Sequence, residues 1–337
     1  METLGVLLLN MGGPTSLDAV RPFLENLFLD KEIISFGPLE FARAPLARFI
    51  AKRRAAVVAR NYAMIGGRSP LGEISARQAA ALATELTARL AGRLAIRVAV
   101  GFSYWHPFIS EAMDALEREG ATRVFLMPLY PQYSKTTTGS CMKTWRDLHC
   151  AKGGRRFRVQ SVKAYPADER YVAAINARID EALAEFPEER RAGVVLQFSA
   201  HGTPVALVTQ GDPYSRQIRD TVEAVMTARG KDRPYHLSFQ SKVGPAKWLE
   251  PNTVGKTKQL AAEGVKDLLV IPIAFTADHI ETLHELDIEL RREAEEAGIE
   301  RFAVTAGLND SPLYISAMAG LIIDRMERRL RLETAAL

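Results

Sequence analysis

Eight short apolar runs, falling into two matching sets of four, constrain this chain more than any other feature. They lie at Leu4–Asn10, Ala95–Phe102, Arg123–Leu129 and Phe157–Val162, and again at Gly193–Ser199, Tyr235–Gln240, Leu268–Ile273 and Phe302–Thr305. Helix-like segments such as 110–119, 167–186, 215–229 and 252–263 separate most of them. Runs that are apolar almost throughout suit strands covered on both faces, and their alternation with helices is the pattern of a parallel α/β sheet. The strand ends also echo one another. L-L-L-N-M-G-G-P answers V-L-Q-F-S-A-H-G-T-P, and F-L-M-P-L-Y-P-Q-Y-S answers L-V-I-P-I-A-F-T-A-D. The reading is a duplicated βα domain, with one half over 1–163 and the other over 164–310.

The first half breaks the symmetry. Its first two runs stand about 90 residues apart against about 40 in the second half, far beyond ordinary βα loops, so it carries an insertion, placed over 28–78. That stretch mixes Ile33, Ile34, Phe36, Leu39, Phe41, Leu46, Phe49 and Ile50 with Arg43, Arg48, Lys52, Arg53 and Arg54. Such a basic amphipathic composition meets a membrane surface or closes over an apolar ligand; it also suits a helix packed on its own domain. The tail places Leu313, Ile315, Met318, Leu321, Ile322 and Met326 in helical register, predicting a helix over 311–337 that packs back on the first domain. No low-complexity linker separates the halves, which predicts a shared interface with a cleft between them.

At 337 residues, 47% hydrophobic and 25% charged, the chain can bury a sizeable core and suggests about two domains. Its net charge of +4 is too mild to argue for nucleic acid and fits contact with anionic small molecules or an anionic membrane surface. Two cysteines, Cys141 and Cys150, are too few for a disulfide framework or a four-thiolate cluster, as in a reducing cytoplasm. No signal-peptide pattern or spanning apolar run is found, so any membrane contact is expected to be peripheral.

Chemistry is expected after the seventh run, in A-F-T-A-D-H-I-E-T-L-H-E-L-D-I-E (274–289). On a helix Glu281, Glu285, Glu289 and Glu293 form one stripe, while Ile280, Leu283, Leu286 and Leu290 gather opposite. Like charges at this spacing cost about 0.2–0.5 kcal/mol per pair, so a row of them invites a cation or shared protons. The same segment also fits a capping box, Asp278 as N-cap and Glu281 three residues on. His201 follows the fifth run, and ligands of such folds gather at the carboxyl ends of strands. Imidazole and carboxylate together suit a divalent first-row metal, and imidazole also accepts protons near neutrality. With no H-E-x-x-H and no cysteine pair, the metal is expected to be handled rather than kept. Gly12-Gly13 alone is a weak phosphate signal. Tyr104, Trp105, Tyr130, Tyr133, Tyr214 and Trp248 stand near strand ends, where they are core or the wall of a flat aromatic ligand, with Arg68 or Arg77 available for carboxylates.

Seven motifs in order, N-M-G-G-P (10–14), I-G-G-R-S-P-L (65–71), Y-P-Q-Y-S-x-x-T-T-G-S (130–140), F-S-A-H-G-T-P (198–204), G-D-P-Y (211–214), S-F-Q-S-K-V-G-P-x-x-W-L (238–249) and D-H-I-E-T-L-x-E-L-D-I-E (278–289), resemble the ferrochelatase family. The resemblance implies two Rossmann-like domains holding protoporphyrin IX between them and a lyase that inserts ferrous iron. It implies His201 and Glu281 as catalytic and metal-binding residues facing one another, and a partly π-helical acidic track of Asp278, His279, Glu285 and Glu289. Met11, Tyr133, Tyr214 and Trp248 become porphyrin contacts, and the insertion a hydrophobic lip whose 28–54 part touches the inner membrane peripherally. Some relatives bind an iron–sulfur cluster through a Cys after P-Q-Y-S; Lys135 stands there in this chain, so no cluster and no resident cofactor are expected. Proton removal and iron presentation are expected from His201 and Glu281 on opposite faces of a bent ring. The alternatives are a chelatase for coproporphyrin or, with cobalt, sirohydrochlorin, and a haem or metal carrier without turnover.

Overall fold

The structure, a computed structural model, describes residues 2–34, 36–151, 153, 157–241 and 246–335, with side chains of the last helix to residue 328. All eight apolar runs form strands: β1 (Thr3–Asn10), β2 (Ala95–Phe102), β3 (Arg123–Pro128), β4 (Arg158–Ser161), β5 (Val195–His201), β6 (Tyr235–Gln240), β7 (Asp267–Pro272) and β8 (Arg301–Val304). They build two four-stranded sheets of the same topology, β2-β1-β3-β4 and β6-β5-β7-β8, every pairing parallel. Strands β1 and β7 are buried nearly along their whole length, which is why their sequences carry no polar alternation.

The chain divides into two compact units, Met1–Tyr130 with Ser134–Ala164 and Ile315–Leu337, and Pro131–Tyr133 with Tyr165–Tyr314. Pro131–Tyr133, placed by sequence in the first half, therefore groups with the second. The reason is local: the Gln132 amide donates to Thr221 Oγ1 at 2.9 Å, and the Tyr133 N–H donates to Gln217 Oε1 at 2.7 Å. The tail forms the helix Pro312–Ala335, with Ile315, Met318, Ile322 and Met326 buried and Leu313 exposed. Its charged end beyond residue 328 lies outside the described side chains.

In the first unit the segment before β2 resolves into a 3-10 turn Gly37–Ala42 and the helices Arg43–Met64 and Leu71–Leu90. Gln78, the expected end of the insertion, is fully buried in the middle of the helix Leu71–Leu90. The helix Arg43–Met64 packs by small residues: Ala47 and Ala51 are fully buried, while Phe49, Val57 and Met64, and Phe41 just before the helix, are exposed. Arg48, Lys52, Arg53, Arg54 and Arg60 share the outer surface. Arg43 does not. It is buried and donates to the carbonyls of Phe28, Asp30 and Ile34, so it ties the turn to the helix instead of presenting charge.

Candidate active site

The Gly-Gly turn after β1 is packed shut: Gly12 has φ +82°, and a Cβ on Gly13 would lie 2.4 Å from Ser69 Oγ. Met11, partly buried, donates its N–H to Asn10 Oδ1 at 2.8 Å. Tyr104 belongs to the core, its hydroxyl 2.6 Å from Asp30, and Arg68 is paired with Glu73 at 2.7 Å.

The second unit assembles the chemistry. His201 ends β5, and Glu281 opens a π-helical segment, Glu281–Leu290, that follows β7. Wide π turns are rare and recur at functional sites. The His201 Nδ1–H donates to Glu281 Oε2 at 3.0 Å, although eighty residues separate the two. Glu281 spends its side chain on this contact, and the N–H of Asp278 goes to Asn309 Oδ1 instead, so the capping box is not formed. Nor do the two groups stand on opposite faces of a ring, since no macrocycle fits into a hydrogen bond. His201 and Glu281 form a dyad on one side.

Burial disfavours charge on both members, yet each stabilises the charge of the other. Around His201 the Glu281 carboxylate and the more distant Glu285 outweigh burial and raise the imidazole pKa above its ordinary value. Around Glu281 the His201 and His279 imidazoles outweigh burial and hold the carboxyl far below the usual carboxylate range. His279 is buried, donates Nδ1–H to the Ala277 carbonyl at 3.2 Å and keeps Nε2 3.7 Å from Glu281. The Phe275 ring packs against both imidazoles, at 4.5 Å from His279 and 6.4 Å from His201.

Along the expected track, the Glu285 carboxylate accepts from the Ser241 N–H at 2.8 Å and from its hydroxyl at 2.6 Å. Burial first, then the Glu281 charge, raise the Glu285 pKa. Glu289 is half exposed, 3.7 Å from His284 Nδ1, and Glu293 is paired with Lys258. Asp278 leaves the row: it accepts from the Gly307 N–H and the Asn309 amide and anchors the loop after β8. Among the described residues no group of three or more His, Cys, Asp or Glu could hold a metal ion.

Of the four proposed porphyrin contacts, two stand beside His201. The Tyr214 hydroxyl donates to the His201 carbonyl at 2.9 Å, and burial pushes that phenol's pKa far up. Trp248 bridges Pro204, and a Cβ on Gly202 would meet its ring at 3.2 Å and the Gln240 carbonyl at 2.6 Å, so only glycine fits after His201. Tyr133 is partly buried. The K-V-G-P part of the 238–249 motif lies outside the described residues.

Sequence reasoning missed what holds this site from behind. Gln197, Ser199, Ser238, Gln240, Thr253 and Thr257 are all buried and form one connected hydrogen-bonded layer between β5, β6 and the helix Thr253–Ala262. The signal was present: Gln197, Ser199 and His201 fall on alternate positions of an otherwise apolar run, so a polar stripe runs along one face of β5.

Two parallel α/β units of identical sheet order, one ending in an imidazole–carboxylate dyad backed by an acidic π-helix, define a chelatase-type protein. Over 96% of this chain and 94% of its own, SirB from Bacillus subtilis, solved with Fe3+, superposes with a TM-score of 0.54 at 14% identity, a likeness of fold. The ferrochelatase family model matches residues 3–326. A ferrochelatase of Geotalea uraniireducens is 44% identical over 95% of this chain and 97% of its own, and one of Picosynechococcus is 41% identical over 97% of this chain and 84% of its own. The chain belongs to the ferrochelatase family.

Proposed function

We propose that this protein inserts ferrous iron into protoporphyrin IX, releasing two protons, and that His201 and Glu281 are the reacting pair. The observation that carries this reading is the 3.0 Å contact of His201 Nδ1 with Glu281. It leaves Nε2 as the nitrogen that meets the substrate. A carboxylate behind an imidazole fixes its tautomer and stabilises the imidazolium that forms when a pyrrole N–H proton is taken. Glu285, with its raised affinity for protons, is the next station, and half-exposed Glu289 the outlet to water. The same acids can pass the incoming ion toward the ring when they are ionised. Tyr133, Tyr214 and Trp248 supply an aromatic surround. The proposed reaction calls on no protein-bound cofactor; Cys141 packs against Ser103 at 3.2 Å, and burial pushes its thiol pKa up to about 11.

No helix among the described residues is long and apolar enough to cross a membrane. The exposed Phe41, Phe49, Val57 and Met64 beside Arg48, Lys52 and Arg53 support peripheral attachment to an anionic bilayer, from which an apolar porphyrin is drawn.

The deciding assay is anaerobic: purified protein, protoporphyrin IX and ferrous iron, followed by porphyrin absorbance and fluorescence. Wild type turns over; His201→Ala binds porphyrin without turnover, and Glu281→Gln loses at least about a hundredfold in kcat. Full activity in His201→Ala would overturn the assignment. Stoichiometric binding without turnover by wild type would favour a carrier, and preference for cobalt with sirohydrochlorin another chelatase.

A further inference from the structure

We infer that Gln240 and Ser199 are positioning residues for the His201–Glu281 dyad, acting through the backbone of the π-helix. The inference rests on the dyad's proposed role and gives a task to two residues that lie within the F-S-A-H-G-T-P and S-F-Q-S-K-V-G-P-x-x-W-L motifs without an assigned part in the chemistry.

Six fully buried polar side chains are an expensive way to fill the space behind one strand. Each donor and acceptor must be matched, and apolar residues of the same size would fill it at no such risk. The layer is matched link by link. Thr257 Oγ1 donates to Gln197 Oε1 at 2.9 Å; Gln197 Nε2 donates to Ser238 Oγ and to the Thr253 carbonyl, each at 3.0 Å. The Thr253 hydroxyl lies 3.0 Å from Ser199 Oγ, and Ser199 donates to Gln240 Oε1 at 2.8 Å.

That last bond fixes which way the Gln240 amide faces. Its oxygen is taken by Ser199, so its NH2 is left for the Glu281 carbonyl, 3.4 Å away. Backbone geometry ties the same spot a second time. The Gln240 carbonyl accepts the Gly202 N–H at 2.9 Å, next to His201. Gln240 thus holds the residue after His201 with its main chain and Glu281 with its side chain, so it sets the separation of the two reacting groups. The next residue, Ser241, at a left-handed φ of +64°, holds Glu285. Position matters at this level, because displacements of about 1 Å at a reacting pair cost up to a hundredfold in rate.

The test compares wild type, Ser199→Ala, Gln240→Ala and the double variant in the anaerobic iron-insertion assay, with His201→Ala alongside and thermal unfolding of each protein. Gln240→Ala lowers kcat about tenfold with KM for porphyrin unchanged, and Ser199→Ala lowers it several-fold. Because the two act in series, the double variant is no slower than Gln240→Ala alone. Ser199→Thr, which keeps the hydroxyl, restores most of the loss. Additive losses, a change confined to KM, or losses that follow thermal stability alone would overturn the inference. Should His201→Ala remain active, the dyad reading fails first; should His201→Ala be inactive while both single variants keep wild-type kcat, only the positioning role fails.

Discussion

The imidazole of His201 feels two opposed influences, and removing one of them exposes the other. Burial favours the neutral ring, whereas Glu281 and Glu285 favour the cation and win. In Glu281→Gln the nearer charge is gone, so the His201 titration midpoint falls; NMR of the ring proton between pH 4 and 9 reads this without any substrate. The linkage follows in sign. A raised imidazole pKa contributes stability that is present below about pH 6.5 and is lost as pH rises through the folded value. A depressed Glu281 contributes stability that is present above about pH 4.3 and is lost as pH falls. Both contributions coexist between those limits, and denaturant unfolding of Glu281→Gln differs from wild type most in that window. Little of this pair could be read from spacing, since eighty residues separate its members. What spacing offered was an acidic stripe from Glu281 to Glu293, and its first member, Glu281, also fitted a helix cap with Asp278. The family likeness chose Glu281; the structure showed that its partner lies beside it and not across a ring.

Whole elements were more legible than their interiors. Buried parallel strands are continuous apolar runs, so β1, β3 and β7 announce themselves, whereas the side-chain caps Asp168 and Asn252 emerge only in the structure. The polar layer behind β5 left only a partial trace, because alternating Gln197 and Ser199 suits a strand with one wet face as well as a buried polar layer. Only the facing helix, which offers Thr253 and Thr257 one turn apart, turns that face into an interior. Thr257→Val keeps the shape and removes the donor to Gln197 Oε1, leaving a buried acceptor unpaired. It is expected to cost about 1–3 kcal/mol in urea unfolding, while Thr209→Val, on an exposed short helix, stays within about 0.5 kcal/mol.

At the scale of the molecule, the repeated sheet order makes the departures from symmetry informative: one unit carries the dyad and the other the helix Arg43–Met64 with its outward Phe49 and, just before it, Phe41. Composition had suggested an amphipathic surface there and grouped Arg43 with the other cations, because a charge count cannot see three backbone carbonyls waiting for a guanidinium. Sedimentation with phosphatidylglycerol vesicles tests the surface. Phe41→Ser and Phe49→Ser are each expected to weaken binding about tenfold, and salt to weaken it further. Neutral phosphatidylcholine vesicles bind less tightly than anionic ones if the arginines contribute as proposed. That helix also has a practical consequence for mutagenesis. Its alanines at 47 and 51 are closely packed, so a melting-temperature screen would flag larger residues there and pass almost any change at Phe41 or Phe49. The screen would rank those two phenylalanines as dispensable, and the variants it passed would be the ones that had lost their hold on lipid.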